Sequence, residues 1–257
     1  MGHCRNNFIF IFILVIFFAL FRESEARRSI SAKTNQNSSN TSVNNFLQSM
    51  FGLFTKEKVF GNANDIPSEY FKEHREIKAI VVKVTDGDTF RVRHVTKSNP
   101  DSSFDGNLKD NTIAIRIAAV DAPETAKFGE LGQKYSEIAK SFVTEKLMGK
   151  RVTIKLLSRD QYGRALGLVR YRDNTILPNF LCNKKDLSEQ LLLNGLAAVY
   201  RQGGAQYDGS IDRWNALEKK AIRARKGIWM NGEKNAELPS DYKKASKEKT
   251  RTKSRQF

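Results

Sequence analysis

The Asp86-Gly87 step between two alternating apolar runs restricts the fold of this 257-residue chain more than any other feature. Before it, Ile80, Val82 and Val84 alternate with Val81 and Lys83, and share one face of a strand over 77–84. After it a second strand runs from Asp88 to about Val95. Asp-Gly at such a join signals a tight hairpin whose turn positions need positive φ. The alternation returns at Ile113, Ile115 and Ile117, which places Arg116 on the face opposite the isoleucines. It returns again at Val152, Ile154 and Leu156, and over Ala165–Tyr171. Between these strands the period becomes helical. Tyr135, Ile138, Ala139, Phe142, Val143 and Leu147 fall on one stripe over 131–148, and Gly149 stops it. Asp186 is placed to cap a short helix bearing Leu187 and Leu191, ended by Asn194-Gly195. Trp214, Leu217, Ala221 and Ala224 form a last amphipathic helix closed by Gly227. Short strands interrupted by a helix describe an α+β fold: an OB-type, five-stranded Greek-key barrel with about three packed helices.

The flanks read differently. Residues 8–21 are fourteen consecutive apolar residues, fewer than the roughly 20 that cross a bilayer. Arg5 precedes them and Ser24-Glu25-Ala26 follows, so residues 1–26 are expected to be a signal sequence or signal-anchor. Residues 27–75 open on a Ser, Asn and Thr-rich stretch and are expected to be a polar, largely disordered linker; Phe46 to Phe54 within them is mildly apolar. Residues 233–257 are expected to be a basic disordered tail. That leaves residues 76–232 as the folded domain.

The formal net charge is +16, of which +9 lies in 76–232, +3 before it and +4 after it. Such an excess points to a polyanionic partner, either nucleic acid or the anionic face of a membrane. Two cysteines, Cys4 and Cys182, exclude a disulfide scaffold and a four-thiolate zinc site. Three histidines, none near a cysteine at ligand spacing, leave no Ser-His-Asp machinery.

The chemistry falls to carboxylates and arginines. Asp88 opens a strand just past the hairpin turn, and Asp121 and Glu124 flank Ala122-Pro123 just past the strand that carries Arg116. Aspartates aimed from neighbouring strand ends hold a hard cation through oxygen. Asp86 and Asp88 also match the opening of an EF-hand loop, but Arg91 stands where that loop requires glycine. Arg164 follows the turn Asp160-Gln161-Tyr162-Gly163. A planar guanidinium grips phosphate with two parallel bonds and stays charged at any relevant pH. A cation, a carboxylate able to position water and two guanidinium groups are the parts that phosphodiester hydrolysis requires. Trp214 and Trp229 are expected in the core, and Cys182 as an inert small apolar residue.

Three segments carry a resemblance: Val84-Thr85-Asp86-Gly87-Asp88-Thr89; Ile115-Arg116-Ile117 leading to Val120-Asp121-Ala122-Pro123-Glu124-Thr125; and Asp160-Gln161-Tyr162-Gly163-Arg164. With Asn194-Gly195-Leu196-Ala197 and Lys226-Gly227-Ile228-Trp229, they make residues 76–232 resemble the staphylococcal nuclease (thermonuclease) family. The closest likeness is to its branch with an N-terminal hydrophobic anchor, the fungal probable mitochondrial-membrane endonucleases. The resemblance implies the OB-type barrel and a calcium-dependent nuclease acting on DNA, RNA or both and leaving 3′-phosphate ends. It implies Asp88, Asp121 and the Ala122 carbonyl as calcium ligands, Glu124 as general base or water-orienting group, and Arg116 and Arg164 as the phosphate clamp. Tyr162 and Tyr200 are its implied substrate contacts. Two departures stand out: Ala122 replaces a frequent Thr, and Gln161 a Lys that touches phosphate. The alternative reading is a non-catalytic single-stranded nucleic-acid-binding module on the same barrel. The expected state is a monomer with a possible membrane tether at the N-terminal apolar run. The expected location is the secretory pathway, with the mitochondrial membrane as the alternative.

Overall fold

The first two strands of the computed structural model lie where the alternation places them, but their turn differs. β1 (Glu76–Asp86) and β2 (Thr89–Val95) are antiparallel, with Asp86 opposite Thr89 across Gly87-Asp88. Neither turn residue has positive φ. Glycine is needed at 87 for space: a Cβ there would lie 2.8 Å from the Cβ atoms of both Ala122 and Ala139. The inner face of β1 also differs. Ile77, Ala79 and Val81 are buried, while Ile80 and Val82 are half-buried. The register slips between Val81 and Lys83, and this bulge brings Val84 inward after Val81. A bulge shifts which face the side chains address, so simple alternation could not anticipate it.

The structure describes residues 57–100, 107–126, 131–172 and 184–253, the last without the side chains at 247 and 249–253. Two compact units divide between Lys56 and Glu57, and only the second holds described residues. The expectations for 1–26, for Phe46 to Phe54 and for Cys182 lie outside them.

β3 (Ile113–Ile117) pairs with β2, β5 (Arg151–Arg159) with β1, and β6 (Ala165–Tyr171) with β5, all antiparallel. β3 and β6 then pair in parallel, Ile115 opposite Ala165, and close five strands into a mixed barrel. Phe90, Val92, Ile113, Ile115, Ile154 and Leu156 fill it and are shut off from solvent. Two short strands, β4 (Val120–Asp121) and β8 (Ala198–Val199), pair beside the barrel, and β7 (Lys185–Asp186) pairs antiparallel with the end of β6. This is the OB-type α+β architecture.

The α-helices of the described residues are α1 (Ser68–Lys72), α2 (Ser136–Leu147), α3 (Leu187–Leu193), α4 (Ile211–Arg223) and α5 (Pro239–Lys253). None of the described helices is long and apolar enough to cross a membrane. α2 is shorter than its apolar stripe. It buries Ser136, Ala139, Val143 and Leu147, while Ile138 is 56% exposed and Tyr135 precedes the helix at φ +70°. The Asp186 side chain caps α3 by accepting from the Glu189 N–H. Trp214 is wholly buried and donates through Nε1 to the Tyr207 carbonyl. Gly195 and Gly227 lie back to back at positive φ, and a Cβ on either would come within 2.1 Å of a carbonyl oxygen across the contact. The Ile228 N–H donates to the Gly195 carbonyl there, tying the end of α4 to the segment leading into β8.

Two boundaries are corrected. The folded unit does not begin at 76. Phe60, Ala63, Ile66 and Phe71 belong to the core. Asn62 and Asp65 form a capping box around the 3₁₀ turn Ala63–Asp65, so the polar residues that suggested a linker serve as caps. Phe60 stacks on His94 at 4.7 Å and donates its N–H to His94 Nδ1, while Arg159 donates to the Ile66 carbonyl. At the other end, 233–257 is not simply a tail. A 3₁₀ turn (Glu233–Asn235) leads into α5, so that the described residues carry α1 and α5 beside the three helices expected. Beyond the buried Pro239, α5 carries no apolar stripe; Lys243 ties it to Asp121 and Glu124, and Tyr242 to the Leu131 carbonyl.

Candidate active site

β2 and β3 place Asp88 and Arg116 side by side, since Thr89 lies opposite Arg116 in the register. Arg116 is on the outer face of β3, as its position among the isoleucines requires, and its side chain is only 12% exposed. After Ile117 the chain turns sharply through Ala119, at φ +66°, and returns as β4 with Asp121 facing the same guanidinium. Arg116 Nη1 lies 2.7 Å from Asp88 Oδ2, and Nη2 lies 2.7 Å from Asp121 Oδ1. Asp88 Oδ2 also accepts from the Ala122 N–H at 2.9 Å, and Oδ1 from the Thr89 hydroxyl at 3.0 Å.

Glu124 is brought in by the Pro123 turn and anchored by Gln133, whose Oε1 accepts the Glu124 N–H at 3.0 Å. Arg164 reaches the cluster from the β5–β6 turn. Asp160 accepts the N–H groups of Tyr162 and Arg164 and holds Arg164 Nε at 2.6 Å, and Arg164 Nη1 approaches the Thr89 hydroxyl at 3.5 Å. Tyr162 lies beside the Arg164 guanidinium at 5.4 Å and is 73% exposed. The Tyr200 ring flanks Arg116 at 5.9 Å. Tyr200 also lines a cleft of about 240 Å³ with Asp121, Arg201, Gln202, Leu238 and Pro239. The residues singled out in the sequence therefore converge on one end of the barrel.

One functional-looking residue was not foreseen. Lys243, on α5, sets its ammonium 2.6 Å from Asp121 Oδ1 and 3.0 Å from Glu124 Oε1. No local signal marks it, because it stands in a basic run 122 residues from Asp121.

The charges are mutually dependent. Burial raises the Asp88 carboxyl, but Arg116, then Lys243 and the Ala122 N–H, outweigh it and hold it below the usual carboxylate range. Burial also raises Asp121, and the neighbouring Asp88 charge adds to it, so that carboxyl sits above its usual range despite Lys243 and Arg116. Burial works against the charge on Lys243, yet Asp121, Asp88 and Glu124 keep its ammonium protonated beyond the usual range.

A cation's fit can be judged from the donors. Asp121 Oδ2 is buried and takes no hydrogen bond among the described residues. That orphaned anionic oxygen, next to a second buried aspartate, suits a hard cation. Among the described residues no three His, Cys, Asp or Glu side chains gather closely enough to hold a metal alone, so the seat would need the Ala122 carbonyl or water as well.

A buried carboxylate pair bridged by arginine on an OB-type barrel fits the class of enzymes that handle phosphodiesters. The family described as staphylococcal nuclease homologue matches residues 114–231. Endonuclease Htp3 of Saprolegnia parasitica is 44% identical over 185 residues, covering 72% of this chain and 83% of that protein. A probable endonuclease LCL3 of Komagataella phaffii is 34% identical, covering 73% and 83%. A probable endonuclease of Schizosaccharomyces pombe is 35% identical, covering 76% and 89%. The chain belongs to the staphylococcal nuclease family and is an enzyme of the nuclease class.

Proposed function

We propose that the protein is a calcium-dependent endonuclease that hydrolyses phosphodiester bonds of DNA, RNA or both and leaves 3′-phosphate ends. The observation that carries this reading is the Arg116 guanidinium gripped between Asp88 and Asp121, with Glu124 drawn into the same ion cluster through Lys243. Asp88, Asp121 and the Ala122 carbonyl would hold the ion, which when bound supplies Lewis-acid stabilisation of charge on a phosphate oxygen. Oxygen-only donors favour calcium over softer metals.

The chain's own residues do the remaining work. Glu124 takes the proton of a water whose oxygen bonds to phosphorus, the bond from phosphorus to the 5′-oxygen breaks, and the departing 5′-oxygen takes a proton from solvent water. Arg116 and Arg164 neutralise the charge that builds on the equatorial oxygens. Asp160 and Thr89 fix the Arg164 fork so that little freedom is lost when phosphate arrives. Tyr162, exposed beside Arg164, would contact a neighbouring phosphate, and Tyr200, whose ring flanks Arg116, would stack on a base.

The full chain is expected to cut single-stranded DNA or RNA with calcium and not with EDTA, with 3′-phosphate ends visible by mass spectrometry. Glu124→Gln and Arg164→Gln are each expected to slow cutting at least ~10²-fold. Cutting that persists in chelator, or tight binding with no cutting across several divalent ions, overturns the reading. The apolar run at 8–21 and the small residues after it support delivery to the secretory pathway, which sequencing the mature N-terminus distinguishes from a mitochondrial-membrane anchor.

A further inference from the structure

Three features of α5 combine at the site. First, its Lys243 ammonium contacts both a proposed cation ligand and the proposed water-orienting carboxylate, at 2.6 and 3.0 Å. Calcium–oxygen bonds are about 2.3–2.6 Å long. An ammonium on Asp121 and an ion bound through that carboxylate would put two positive charges within a few ångströms of each other. A water poised on Glu124 would likewise compete for the oxygen that Lys243 holds. Second, the helix is lightly attached. No described side chain of α5 beyond Pro239 is fully buried, and polar groups bind the helix past that point, among them the Tyr242 hydroxyl donating to the Leu131 carbonyl at 2.5 Å. Third, the segment leading into the helix is fixed. Ala236 and Leu238 pack on the Ile228 and Trp229 cluster. A loosely held helix on a fixed root can lift without unfolding the domain.

We propose that α5 is a latch on the active site: Lys243 stands in for the divalent cation and occupies Glu124, and the cation must displace it before the enzyme can act. This rests on the metal reading given above. It goes beyond that reading by assigning regulation to a helix outside the residues that match the nuclease family, 114–231. A latch closed nine-tenths of the time weakens apparent ion affinity about tenfold.

The test is calcium binding by titration calorimetry on the full, substrate-free chain, comparing wild type with Lys243→Gln, Lys243→Arg and Asp121→Asn. Lys243→Gln is expected to bind calcium at least tenfold more tightly than wild type, and Lys243→Arg, which keeps the charge, to stay near wild type. Trypsin cutting within α5 is expected to speed up when calcium is added to wild type. Equal or weaker binding by Lys243→Gln, together with loss of binding in Asp121→Asn, keeps the metal seat and overturns the latch. No binding by wild type and Lys243→Gln alike overturns both. A tryptic rate in α5 indifferent to calcium also overturns the latch.

Discussion

Replacing Arg116 with Gln removes the cation that Asp88 and Asp121 share while keeping a side chain able to hydrogen-bond. Both carboxylates are nearly buried, with side-chain exposures of 7% and 4%. Breaking a buried pair by deleting one partner costs about 3–5 kcal/mol, because the surviving charge is left without compensation. Asp88 keeps the Ala122 N–H and the Thr89 hydroxyl, and Asp121 keeps Lys243, which places the cost near the lower bound, about 3 kcal/mol at pH 7. For a unit of this size each kcal/mol moves Tm by roughly 2–4 °C, so the expected drop is about 6–12 °C in EDTA. Thermal and urea unfolding at pH 7 and pH 4 read it. The loss should shrink at pH 4, where protonation removes the uncompensated charge, and calcium should restore part of it at pH 7. A change below about 0.5 kcal/mol in EDTA at pH 7 would refute the claim that this guanidinium neutralises the pair.

Two further outcomes bear on the scaffold. Gly195→Ala puts a methyl group on the Lys226 carbonyl oxygen at positive φ, and a loss of roughly 3–5 kcal/mol by urea unfolding is expected; a near-neutral result would mean the two glycine turns do not meet. His94 accepts the Phe60 N–H through Nδ1 and must stay neutral, and burial lowers its pKa from 6.5 despite Glu57. The unfolded chain therefore takes up a proton below pH 6.5 that the folded chain refuses. Stability should fall as pH drops through the window beneath 6.5, by up to about 1.4 kcal/mol per unit, and His94→Gln should flatten that slope in denaturant titrations.

The barrel was legible in the sequence because its strands alternate and its helices carry stripes, and both periods follow from backbone geometry alone. The grouping of the candidate residues was legible for a related reason. Asp88, Arg116, Asp121, Glu124 and Arg164 all sit at strand ends or on an outward strand position, where a polar residue beside a core strand stands out. What escaped detection depends on contacts between distant segments. The bulge after Val81 turns one face of β1 over without a marker in the residues. Residues 57–75 look like a linker because the Asn62–Asp65 capping box and a few well-placed apolar residues, not a periodic pattern, tie them down. α5 has the composition of a solvated tail, and its attachment to the site is electrostatic. The partner of Lys243 lies on the opposite side of the fold in sequence order, so only the assembled chain reveals it.

The parallel seam between β3 and β6 has a bearing on the chain's early life. Arg116 belongs to one side of that seam and Arg164 leads into the other, and no short hairpin joins them; the two strands meet only when everything between has folded. Parallel closure of this kind comes late, since a long stretch of chain must first be ordered. A half-finished molecule thus holds Asp88, Arg116 and Asp121 on one fragment and Arg164 on another, and the cluster they form is among the last features to assemble.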